Sequence, residues 1–215
     1  MPPAAYRLGR SLARSDRGAV ALEFVLVMPL MLLLMLGFTE MYLYMRTVSI
    51  VEHTAFTLAD SIGQMPEAID SSATTSTYDL GTLWSAATVL AAPVNLKAQG
   101  GVIISSVCDQ VTTPCGVSAP VAQSMASGTP KVYWQRSAPW TQTNMVSQET
   151  PGNVLPTTFP FRNGDSVVVV EVFYTFTPFA MTSAFWANAP GTQTIYERVY
   201  VRPRSGLVLP IVAAS

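Results

Sequence analysis

Twenty consecutive residues, Ala19 to Phe38, carry a single charge, Glu23. At 1.5 Å per residue a helix over that run is about 30 Å long, the thickness of a bilayer's hydrocarbon core. A helix apolar on every side has no face to offer water, so this run dictates a membrane-spanning segment. Arg7, Arg10, Arg14 and Arg17 precede it, and only Arg46 follows soon after it. The positive-inside bias therefore predicts a cytoplasmic N-terminus and places the rest of the chain across the membrane. A cleaved secretory signal is the ordinary alternative, but Thr39-Glu40-Met41-Tyr42-Leu43-Tyr44 offers no A-x-A-like cut site. An uncleaved anchor is a second alternative. Neither explains Glu23: a carboxylate at membrane depth costs roughly 2.5–3.5 kcal/mol on insertion scales, which points to a use for it.

The helical pattern continues past the membrane edge. Val48, Val51, Ala55, Leu58 and Ile62 recur every three or four residues, and neither proline nor glycine falls between Phe38 and Gly63. The reading is one helix from about Ala19 to Ser61, with Pro29 removing a donor inside it. Its first part belongs in lipid and its second lays an apolar stripe on a globular domain. Gln64 to Tyr78 is a Ser/Thr/Pro-rich connection. Asp79 is placed to cap a second helix over Leu80–Leu90 that Pro93 stops. Beyond it the signals are β: Val102 to Val107, Val132 to Arg136, Ser166 to Phe176 and Thr194 to Arg202. In the last, Ile195, Glu197, Val199 and Val201 alternate with Tyr196, Arg198, Tyr200 and Arg202, as in a strand with two different faces. Pro114 to Pro130 and Ala138 to Pro160 read as long polar loops. The fold class is α+β, a long N-terminal transmembrane and amphipathic helix packed on a small antiparallel sheet.

The side chains exclude several kinds of chemistry. Of 215 residues, 49% are hydrophobic and only 12% charged, and the net charge is −1. No basic patch could hold a phosphate backbone, so nucleic acid is not an expected partner. His53 is the only histidine and reads as a solvated helix-surface residue. No nucleophile elbow, P-loop, Rossmann glycine pattern or zincin motif occurs, so no catalytic residue, cofactor or metal is expected. Asp165, Glu171 and Glu197 could in principle supply paired carboxylates. Glu171, which interrupts an apolar strand, is better read as the cross-strand partner of Arg198. Tyr133, Trp134, Trp140, Phe173, Tyr174, Phe176, Phe179, Phe185 and Trp186 read as packing, with a ligand platform as the alternative. Cys108 and Cys115, with six residues between them, suit a local disulfide if the domain lies outside the cytoplasm.

The run Arg17-Gly18-Ala19-Val20-Ala21-Leu22-Glu23-Phe24 resembles a type IV prepilin processing site. Through Val25-Leu26-Val27-Met28-Pro29-Leu30 it is similar to the TadE-like pseudopilins of the tight-adherence (Tad) secretion machinery, which share the Gly-Ala-x-x-x-Glu-Phe start and a proline shortly after. A weaker likeness covers Val167 to Pro178 and Val199 to Arg204. The resemblance implies a pilin-like fold and cleavage by a prepilin peptidase between Gly18 and Ala19. Residues 1–18 are then a basic leader, 19–38 the transmembrane part of the helix, 39–63 its extramembrane part, and 64–215 a periplasmic or extracellular domain. Cleavage leaves eight basic and twelve acidic residues. It also creates an amine on Ala19, which Glu23 of a neighbouring subunit could pair. The implied protein is a single-pass subunit of the bacterial inner membrane, not an enzyme. Its partners would be the membrane, the peptidase, other pilins or pseudopilins and Tad assembly proteins, in pilus assembly, secretion and adhesion. The alternative is a bitopic envelope protein whose outer domain binds a ligand or partner and never enters a filament.

Overall fold

The fold is described from a computed structural model covering residues 16–109, 115, 125–185, 187–205 and 208–214. Its helices are α1 (Asp16–Gly63), α2 (Leu80–Leu90) and α3 (Leu96–Gln99); its strands are β1 (Ala68–Asp70), β2 (Gly100–Asp109), β3 (Pro130–Ser137), β4 (Ser166–Phe176), β5 (Gln193–Val201) and β6 (Ile211–Ala213). α1 is a single helix with Pro29 inside it, ending two residues beyond the predicted stop. Gly63 closes it where a side chain has no room: an added Cβ would meet the Val201 Cγ2 at 2.8 Å. The chain forms two compact units, one comprising the chain through Met45 with Thr177–Gly191, the other Arg46–Phe176 with Thr192–Ser215.

In the second unit the strands form an antiparallel sheet in the order β3-β2-β4-β5, built from all four predicted strands. Alternation along β4 sorts its valines between two layers. Val168, Val170 and Val172 share one buried cluster with Val51, Ala55, Leu58 and Ile62, the predicted stripe of α1. Val167 and Val169 point the other way, onto Val154, Leu155 and Phe161. Ile103 and Phe173 likewise meet Met145. The Ala138–Pro160 stretch, read from sequence as a polar loop, is therefore corrected: its scattered apolar side chains cover the sheet's second face. That cover explains why β2 is buried along its whole length.

Two other details depart from expectation. Asp79 precedes α2 as predicted, but its side chain makes no cap hydrogen bond to the helix. Its Oδ2 instead accepts from the backbone N–H groups of Thr75 and Ser76 and from the Thr75 hydroxyl, tying down the preceding loop. The Gln64–Tyr78 connection contains β1, which pairs in parallel with β6: Ala68 opposite Ile211, Asp70 opposite Ala213. Next to β6, Leu209 is fully buried, and its carbonyl accepts from the Trp134 indole N–H at 2.8 Å and the Ser106 hydroxyl at 3.2 Å.

In the first unit, Thr177–Gly191 packs with the N-terminal part of α1. It includes a 3-10 turn at Ser183–Phe185.

Candidate functional site

The N-terminal part of α1 is apolar and uncovered. Val20, Leu22, Phe24, Val25, Leu26 and Val27 are all more than half exposed, as is Phe38 at the far end. The helix is long and apolar enough to cross a membrane; its most apolar stretch has a mean hydropathy of 2.4, and none of that stretch is buried. So much apolar surface in water would cost about 25 cal/mol per Å², so lipid or other chains must cover it. Glu23 lies on this exposed surface. Among the described residues no hydrogen bond or ion pair reaches it. Gly18 and Ala19 fall in the first turn of α1. The surroundings of Ala19's side chain lie outside the described residues.

Further along α1 a second acidic residue is handled differently. Glu40 is buried. Its Oε1 accepts from the Met181 N–H at 2.6 Å and the Thr182 N–H at 3.3 Å, and its Oε2 accepts from the Thr182 hydroxyl. A buried carboxylate needs such donors, because leaving it unpaired costs several kcal/mol. The sequence reading passed over Glu40. The available signal was an acid two residues beyond an apolar run, with no basic residue within helical reach before Arg46.

In the second unit a polar cluster sits beneath the Met145–Pro151 strap. Glu171 is opposite Arg198 in the β4–β5 register. The predicted ion pair between them is corrected. Glu171, fully buried, accepts from the Ser147 hydroxyl, from the Gln148 N–H at 2.8 Å and from the Tyr196 hydroxyl at 2.8 Å. Arg198 turns instead to Glu149 Oε1 at 3.0 Å and lies over the Tyr200 ring, 5.2 Å from its centroid. Three donors already satisfy Glu171, whereas Glu149 would otherwise be buried without a counter-ion. Even so, among the described residues Glu149 Oε2 and the Tyr200 hydroxyl make no hydrogen bond of good geometry, although the two groups lie near enough to influence each other. Burial pushes the Glu149 carboxyl up to about 7; Arg198 opposes this, and the nearby Glu171 charge adds to it. Burial first, then the Glu171 hydrogen bond and charge, raise the Tyr196 hydroxyl.

Asp165 does not join this cluster: it pairs with Arg202 at 2.8 Å and accepts from the Arg162 N–H. Glu197 is raised mainly by burial and secondarily by Glu52. The cluster holds the strap against the sheet, and an open groove of about 430 Å³ beside it is lined by Ile103, Gln135, Ser147 and Glu149 among others. No group of three or more metal-ligating side chains occurs among the described residues.

Cys108, at the end of β2, is joined to Cys115 by a disulfide, with Cα atoms 5.5 Å apart. Both pack with Val208 and Tyr133. Residues 110–114 between them lie outside the described residues. His53 is exposed on α1. Of the aromatics, Trp134, Phe173 and Tyr174 are core residues, Tyr133, Trp140 and Phe176 are partly buried against the core, and Phe185 is exposed. Trp186 lies outside the described residues.

Fold and site together define a protein with one N-terminal helix fit to anchor it in a membrane and an α+β domain on the same chain. The family model for TadE-like protein matches residues 18–60, which include Gly18, Glu23 and the apolar stripe of α1 as far as Leu58. The resemblance read from the Gly-Ala-x-x-x-Glu-Phe start holds over that stretch. No curated protein and no solved structure matches the chain. The match and the apolar helix support a membrane-anchored protein associated with a Tad pilus.

Proposed function

We propose that this chain is a pseudopilin, a structural subunit or primer of a Tad-type filament rather than an enzyme, and that a prepilin peptidase cuts it between Gly18 and Ala19. The observation that carries the reading is Glu23, an exposed carboxylate inside an apolar helix, five residues past a glycine and without a partner among the described residues. A lone charge in a low-dielectric setting is costly, and pairing with a cation relieves that cost. Cutting after Gly18 creates such a cation on Ala19. Glu23 of one subunit and the Ala19 amine of its neighbour then neutralise each other and fix the axial register of two greasy helices. The peptidase needs an extended backbone, and Gly18 in the first turn of α1 lies where helices fray. The N-terminus stays cytoplasmic, and residues 64–215 stand across the inner membrane, where Cys108 and Cys115 remain oxidised.

The test combines processing with assembly. N-terminal sequencing of the mature protein should read Ala-Val-Ala-Leu-Glu-Phe. Glu23→Leu should leave the protein inserted at normal abundance while pilus production or secretion falls. Normal filaments from Glu23→Leu would remove the pairing. A mature chain beginning after Phe38 would mark the run as an ordinary signal peptide and remove the pseudopilin reading with it.

A further inference from the structure

We propose that Thr177–Gly191 is a second membrane-contacting element, an interfacial loop clasped to the anchor helix by Glu40. The inference rests on the membrane anchorage of α1 and on nothing else in the functional reading. Four observations carry it. First, β4 and β5 are a hairpin whose last pair is Phe176 with Gln193. Hairpin connections ordinarily take about two to five residues; this one takes Thr177 to Thr192, and loops of that length are uncommon in compact domains and are usually either functional or linkers. Second, Thr177–Gly191 contains no acidic, basic or histidine residue. Third, it carries Met181 and Phe185, 50% and 69% exposed, although such side chains are costly to present to water.

Fourth, its position along α1 is fixed. Phe179 lines an apolar groove of about 270 Å³ together with Leu33, Leu34, Phe38 and Met41. Leu33 to Phe38 is the last stretch of the apolar run, and it spans about 7 Å of helix. A loop seated there lies at the depth where interfacial elements bury their apolar faces, about 5–10 Å into the headgroup and acyl boundary. The Glu40 carboxylate, two residues outside the run, holds the loop at that level through the Met181 and Thr182 N–H groups and the Thr182 hydroxyl. The partner is a lipid surface, because the helix turns that seat the loop are themselves lipid-facing and the loop's apolar surface continues theirs.

The test places one environment-sensitive fluorophore at Ala184→Cys in the full-length protein, with Cys108 and Cys115 left in their disulfide. The protein is reconstituted in phosphatidylcholine vesicles with a minority of phosphatidylglycerol. Lipids with a nitroxide near the headgroup should quench this probe at least about twofold more than a probe at Asp60→Cys. A probe at Leu26→Cys should be quenched by deep nitroxides. Glu40→Ala should abolish the quenching at residue 184 and leave that at Leu26→Cys intact. If Leu26→Cys is quenched but Ala184→Cys stays in water, the inference is wrong and the anchorage stands. Quenching at residue 184 that is unchanged by Glu40→Ala removes the clasp. A change at residue 184 that depends on protein density and not on the nitroxide lipid gives the face to a second copy and overturns the lipid assignment. Leu26→Cys in water would overturn the anchorage itself.

Discussion

Glu149 should make this protein less stable as pH rises from mildly acidic to neutral. Its carboxyl is raised from 4.5 to about 7 in the folded chain, first by burial. The native state therefore holds a proton that the unfolded state has released between those two values. Stability from this group is fully present below about 4.5 and is lost as pH climbs to about 7. At about 1.4 kcal/mol per unit the ceiling is roughly 3.5 kcal/mol. Water in the open groove beside the strap screens the charge and reduces the expected effect to about 1–2 kcal/mol.

Glu197, raised in the same direction by burial and Glu52, adds to the slope. The comparison with Glu149→Gln isolates the Glu149 share. That variant keeps the side chain's shape, loses the ion pair to Arg198 and cannot titrate. The assay is urea unfolding of the full-length protein in detergent between pH 5 and 7.5, followed by the fluorescence of the buried Trp84 and Trp134. Wild type should weaken across that range, and Glu149→Gln should have a visibly flatter profile. A wild-type profile that is flat, or a variant with the same slope, would refute the assignment.

Leu58→Ala removes a side chain that joins the α1 stripe to the sheet and is about 1% exposed. It should cost about 3–5 kcal/mol in the same unfolding assay, while Phe56→Ala on the exposed side of α1 should cost under about 1 kcal/mol. Non-reducing mass spectrometry of the native envelope fraction should find Cys108 and Cys115 two hydrogens lighter than the dithiol. Their removal as Cys108→Ser with Cys115→Ser should cost about 2–3 kcal/mol. A reporter fused after Ser215 should be active only if it works outside the cytoplasm.

The long-period signals were legible in the sequence because they repeat. The α1 stripe recurs through four turns: Val51, Ala55, Leu58 and Ile62 are buried as predicted, Val48 is partly buried, and Ala59 joins them unpredicted. Alternation in β5 sorts correctly: Ile195, Val199 and Val201 pack on the α1 side, Tyr196 and Tyr200 on the other. The features that were missed have no period to detect. β1 and β6 are three residues each and exist only because distant segments meet. The Ala138–Pro160 stretch contributes Met145, Val154 and Leu155 at irregular spacing among many Pro, Thr, Ser and Asn residues, so it read as solvent-facing. For Glu171 the sequence supplied the correct opposite residue but not the competition. Glu149 is 22 positions upstream, and only the fold shows that it, not Glu171, lacks other donors. The Glu40 clasp depends in the same way on a hairpin insertion returning to the helix.

The pairing of β1 with β6 has a consequence for the order of events during synthesis. Ala68 and Ile211 close a contact across almost the whole domain, and the buried Leu209 beside it receives the Trp134 indole and the Ser106 hydroxyl. A chain that emerges N-terminal end first cannot complete this seam until residues 209–213 arrive. Until then Trp134 and Ser106 lack their acceptor, and the cluster around α1 stays open along one edge. Contacts so distant in sequence form slowly, because a long loop must close before they repay its entropy. The half-made domain is therefore open to holding factors and proteases until residues 209–213 arrive, and that short segment acts as the latch that ends the exposure.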